Sequence, residues 1–159
     1  MANLTYLTLN GQMQGLISAG CCSQDSIGNK AQTAHKDQIM VQELTHGISR
    51  QQNVNHQMLT IRKPVDKSSP LLNKAISENE VLSCEINLFR TSRAGVNELY
   101  YKIKLTNARI IDIQLDVAHA INDNDAQPEE SVSFIYESIS WDHCIAGTSA
   151  YSLWSERMF

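Results

Sequence analysis

LSCEINLFRTSRAGVNELYYKIKLTNARIIDIQLDVAH, residues 82–119, carries the strongest periodicity in the chain, and its reading decides the fold. In 81–89, Leu82, Cys84, Ile86 and Leu88 alternate with Ser83, Glu85 and Asn87, the period of two that marks a half-buried strand. RTSRAG, 90–95, is a turn. ELYYKIKLT, 98–106, alternates again, with Leu99, Tyr101, Ile103 and Leu105 inward and Lys102 and Lys104 outward. After Asn107, RIIDIQLDVAH puts Ile111, Ile113, Leu115 and Val117 on one side and Asp112, Gln114 and Asp116 on the other. The three runs predict a meander of antiparallel strands with one buried face.

Strand signals continue outward in both directions. NLTYLTLN opens the chain as a strand, and Asn10-Gly11 is a tight-turn dipeptide. HQMLTIRK, 56–63, and TSAYSLW near the end predict two more. In SVSFIYESISW the apolar parity switches between Val132, Phe134, Tyr136 and Ile139, Trp141, which predicts a β-bulge or a strand covered on both faces. INDNDAQPEE, 121–130, is a polar acidic loop. One helix is expected over about 70–79, with Ser69 as N-cap, Pro70 at the first helical position, and Leu71, Leu72, Ala75 and Ile76 buried. Residues 20–36 show no periodicity, and a loop of that length in a compact domain is functional or disordered. The expectation is one domain over 1–159, all-β with one short α-helix. It has seven to nine strands, in a sandwich or a barrel.

Composition narrows the function. The chain has 159 residues, 42% of them hydrophobic and only 19% charged, with a net charge of −4. An acidic chain is a poor general nucleic-acid binder, because binding draws on a clustered positive field. The one basic face, Lys102 and Lys104 with Tyr100, reads as solvated; it is also what would suit a monomeric ligand- or oligonucleotide-binding barrel, the runner-up reading. The N-terminus has no unbroken apolar core and no basic residue before Lys30, so no cleaved signal peptide is expected. No stretch is apolar for the roughly 20 residues of a membrane span, so a cytoplasmic chain with its four cysteines reduced is expected.

Candidate chemistry is thin. His35 and His46, eleven apart, fall on opposite faces of a continuous strand and cannot share a metal there. In WDHC, 141–144, His143 and Cys144 are neighbours whose side chains alternate, which suits a packed Trp141 beside a buried thiol better than a thiol enzyme. GLISAG lacks both phosphate-loop and nucleophile-elbow spacing, and no CxxC pair supports zinc. No catalysis, metal or cofactor is expected.

The ordered set of features is similar to one family. It comprises the opening strand ending in NG, the long loop, HKDQIMVQELTHGIS, MLTIRKPVDKSSPLLNKAI, the pair LSCEINLFR and ELYYKIKLTNARI, then ESVSFIYESISWDH and AGTSAYSLW. Together they resemble the haemolysin-coregulated protein (Hcp) family, tube subunits of the bacterial type VI secretion system. The resemblance implies a β-barrel of two packed sheets with a flanking helix. It also implies a homohexameric ring, with rings stacked into a tube that has a spike at its tip and a contractile sheath around it. Small effectors would ride in the channel, and the tube would leave the cytoplasm without a cleaved signal peptide. The chain ends at Phe159, just past the last strand, as in an unfused tube subunit. The resemblance also places inter-ring and subunit contacts in the long loop, at Cys21, Cys22, Ser26, Ile27, Asn29, Lys30 and His35. The vicinal cysteines are a departure from the family pattern. The stretch 35–50, with both histidines, is expected to be part of an assembly surface.

Overall fold

A computed structural model describes residues 3–123 and 125–155; Phe159, where the chain ends, lies outside them. Twelve strands form among the described residues: β1 (Leu4–Gly11), β2 (Gly15–Leu16), β3 (Ile39–Val41), β4 (Glu43–Thr45), β5 (Ile48–Arg50), β6 (Val54–His56), β7 (Leu59–Pro64), β8 (Leu82–Thr91), β9 (Asn97–Asp116), β10 (Glu129–Ile135), β11 (Ser138–His143) and β12 (Thr148–Leu153). Two helices accompany them, α1 (Gln24–Ile27) and α2 (Ser69–Ser77).

The expected meander of three strands is in fact two. The second and third runs are one 20-residue strand, β9, passing unbroken through Asn107, whose φ of +50° is the left-handed bend that asparagine tolerates. Leu82 pairs with Ala108 but Cys84 with Leu105, so β9 carries an extra residue there. A second slip follows, with Ser133 opposite Asp112 and Phe134 opposite Ile110. Each bulge reverses which parity faces the core. The inward row therefore runs Ile103, Leu105, then Ala108, Ile110, then the half-buried Ile113. Ile111, Leu115 and Val117, expected on the buried side, are exposed.

The bulges let β9 serve two sheets. Its first part lies between β8 and β11, while its second part pairs with β10, which pairs in turn with β7. β1 lies on the far side of β8. The remaining gap is bridged by one segment: Ile39–Val41 pairs with β1, the Gln42 amide donates to the Arg62 carbonyl at 2.8 Å, and Glu43–Thr45 pairs with β7. The sheets thus curl toward each other without closing as one continuous ladder. Leu7, Leu9, Ile39, Leu59, Ile61, Ile86, Leu105, Val132, Phe134 and Ile139 fill the interior and are almost fully buried.

Several local expectations shift by a few residues. The first turn is not at Asn10-Gly11, which stay in β1; it falls at 12–14 and ends on Gly15, φ +74°. α2 starts and ends slightly earlier than expected, with Ser68 before it and Asn79, φ +51°, after it; Leu72 and Ala75 are buried while Leu71 and Ile76 are half-buried. Residues 35–50 form three short strands rather than one, because the segment changes partner sheet at Gln42. The parity switch in 131–141 is an interruption between β10 and β11.

Candidate assembly surfaces

The segment 20–36 is folded. After Ser23 the chain makes α1, then two 3₁₀ turns, Gly28–Lys30 and Thr33–His35. Its base is tied at both ends: the Gly20 amide donates to Asp37 Oδ1 at 2.9 Å and the Cys22 amide to the Lys36 carbonyl at 3.1 Å. Ser26 Oγ accepts the Lys67 amide at 2.8 Å, which fixes the tip of α1 against the turn before α2.

The seven residues singled out in the sequence divide by exposure. Cys21, Cys22 and His35 are buried within the chain itself. Cys21 Sγ lies 3.5 Å from the Ile17 carbonyl, and burial pushes its thiol up to about 11. Cys22 Sγ accepts the Gln32 amide at 3.3 Å. His35 stacks on Tyr6 with ring centroids 3.8 Å apart, meets Phe89 edge-on at 4.9 Å, and sits 2.6 Å from Gln38 Oε1 through Nδ1. These three anchor the loop. Asn29 is exposed, and Ser26, Ile27 and Lys30 are half-buried. Cys22 and Asn29 also line a hollow of about 360 Å³ inside the loop.

Elsewhere the suspected sites come apart. His46 is far from His35 in environment: its Nε2 is 2.8 Å from the Tyr136 hydroxyl, and the buried His56 reaches the same hydroxyl through Nδ1, also at 2.8 Å. His56 and Tyr136 lie 80 positions apart in sequence, so no local spacing signals their meeting. The basic face is paired at Lys102 and covered at Tyr100, while Lys104 is exposed. Lys102 Nζ pairs with Glu85 at 2.9 Å, and Arg90, paired with Glu98 at 3.0 Å, covers the Tyr100 ring at 4.8 Å. In WDHC, His143 Nδ1 accepts the Ala146 amide at 3.0 Å and caps the β11–β12 turn. Cys144 is exposed, not buried as expected, because it lies in that turn beyond the paired residues.

Among the described residues, apolar side chains lie uncovered on two strands in particular. One is the distal part of β9 and the chain leaving it, where Ile111, Leu115, Val117 and Ile121 are 46–82% exposed. The other is β12, which pairs only with β11 and presents Tyr151 and Leu153 at 74% and 41% exposure. Among the described residues no helix is long and apolar enough to cross a membrane.

Residues 6–143 match the family described as "Type VI secretion system effector, Hcp". The chain is 40% identical to the "Major exported protein" of Pseudomonas aeruginosa, over 97% of this chain and 96% of the relative. Its fold superposes on a crystal structure of an Hcp protein with a TM-score of 0.91 at 33% identity, covering 98% of this chain and 99% of the other. The secreted protein Hcp3 from Pseudomonas aeruginosa matches with a TM-score of 0.88 at 38% identity, covering 98% and 100%. A family match spanning most of the chain, a near full-length relative and the same curled two-sheet fold agree, and the chain belongs to the haemolysin-coregulated protein (Hcp) family of the type VI secretion system.

Proposed function

We propose that this chain is the repeating subunit of a secretion tube: six copies close head to tail into a ring, and rings stack along the axis. The family is one of secreted structural proteins, and the chain is not an enzyme. The observation that carries the ring is the pair of unlike apolar surfaces, distal β9 and β12, on one subunit. Unlike patches that fit each other make a heterologous contact, which closes into a ring when the rotation allows. Covering each large apolar side chain is worth about 1.5–3 kcal/mol.

Stacking falls to the folded loop, with Ser26, Ile27, Asn29 and Lys30 toward the next ring and Cys21, Cys22 and His35 holding their platform. In this reading the tube forms in the cytoplasm inside a contractile sheath, carries a spike at its tip and small effectors in its channel, and is expelled without cleavage of a signal peptide. Light scattering of the purified protein, with negative-stain imaging, tests the ring. A mass near six times 17.8 kDa and annular particles are expected. Val117→Asp/Tyr151→Asp is expected to give folded monomers. A strict monomer at high concentration refutes the ring.

A further inference from the structure

We propose that His46, Tyr136 and His56 form a proton-sensitive clasp, which holds the β5–β6 hairpin and the end of β12 on the barrel at neutral pH and lets both go on acidification. The two imidazoles sit on either side of one phenol oxygen, each at 2.8 Å. His56 continues the chain of contacts: its Nε2 is 2.9 Å from Ser152 Oγ in β12, and its ring stacks on Trp154 at 5.8 Å. Tyr136 meets Trp154 edge-on at 4.9 Å, and the Trp154 amide donates to the Glu137 carbonyl at 2.8 Å. The β5–β6 pair, a separate two-stranded sheet, is therefore joined through these few side chains to the β10–β11 junction and to the end of β12, which is itself laddered to β11.

Proton counting gives the direction. A phenol has one proton to donate, so in the neutral cluster one imidazole nitrogen accepts from Tyr136 and the other imidazole donates to it. A first proton can enter at His56 without breaking a bond, because Nε2 then donates to Ser152. A second proton cannot be accommodated. Both imidazoles become donors toward the same oxygen, the buried phenol proton is left without an acceptor, and two like charges flank one atom. Among the described residues, Arg109 and Glu137, of opposite sign, line the same cleft of about 450 Å³ as Tyr136 and Trp154. Burial, and then the neighbouring His56, hold His46 below its ordinary value. Its neutral form thus stabilises the closed clasp fully above about pH 6.5. That contribution is lost as pH falls through the lower folded value.

Hydrogen exchange of the full chain, read by mass spectrometry at pH 7.5 and 5.0 and corrected for the intrinsic rate, tests the clasp. Protection of 48–56 and 148–154 is expected to drop about tenfold or more at the lower pH, while β8 stays protected. His46→Gln/His56→Gln is expected to abolish that difference, and Tyr136→Phe to leave both segments weakly protected at either pH. Equal protection of the two segments at both pH values overturns the proposal. So does a loss of protection shared by β8, or an undiminished pH response in the double variant.

Discussion

Lys63 is a fully buried lysine, and replacing it with methionine is the most severe single test of the core. Its Nζ lies 3.0 Å from Asp66 Oδ1, 3.0 Å from Glu130 Oε2 and 3.3 Å from Ser69 Oγ. The two carboxylate side chains are only 1% and 5% exposed. Asp66 Oδ1 also accepts from the Ser68 amide, and Ser69 Oγ accepts the Asp66 amide, so one ammonium ties β7, β10 and the start of α2 together. A buried ion pair is a weak net stabiliser, but removing one member leaves uncompensated charge at a cost of about 3–5 kcal/mol. Lys63→Met keeps the stem and deletes the charge, leaving both carboxylates in that position. At a urea dependence of about 2 kcal/mol/M, the unfolding midpoint should fall by roughly 2 M. Arg62→Met, on the adjacent half-exposed pairs to Glu129 and Asp116, should cost less than about 1 kcal/mol. Adding Asp66→Asn and Glu130→Gln to Lys63→Met should recover most of the loss. A Lys63→Met protein within about 1 kcal/mol of the parent, or a triple variant no more stable than the single, would refute the electrostatic account.

Two further outcomes follow from local geometry. A Cβ on Gly11 would lie 1.8 Å from Glu80 Oε2, the oxygen that accepts the Met13 and Gln14 amides at 3.3 and 3.1 Å. Gly11→Ala should therefore cost about 1–3 kcal/mol by displacing a buried acceptor. The same substitution should cost much less in a Glu80→Ala background, a coupling that a thermal-denaturation double-mutant cycle reads directly. Among the thiols, Cys144 is exposed, while burial raises Cys21 to about 11 and pushes Cys84 far above the usual thiol range. A thiol reagent at pH 8 should modify Cys144 first and reach Cys21, Cys22 and Cys84 only on unfolding; rapid labelling of Cys84 in the native protein would contradict the buried core.

What the sequence made legible is what alternation alone controls. Leu82, Cys84 and Ile86 are buried in the predicted phase because β8 runs there without an inserted residue. The same rule failed past Leu105, since a bulge is a property of a strand pair: the extra residue at Asn107 exists only relative to β8, and the slip near Ile111 only relative to β10. Lys63 follows the same alternation. It shares parity with Leu59 and Ile61, and the partner that justifies its burial, Glu130, lies directly across the ladder on a strand 67 positions away. Gly11 was singled out for the wrong reason, as a turn former; its small size makes room for a carboxylate from beyond α2.

The candidate surfaces divide along the same line. The long loop was recognisable from its lack of period, but which of its residues face outward depends on Tyr6 and Phe89, distant in sequence, that bury His35. The exposed apolar row on distal β9 carries the opposite lesson. Leu115 and Val117 alternate with Asp116 as though a core awaited them, and within the subunit none does. In the proposed ring, an apolar parity that the monomer leaves uncovered is where a neighbouring subunit would sit. On that proposal, the uncovered row at Leu115 and Val117 is the part of the sequence pattern that only the assembly would explain.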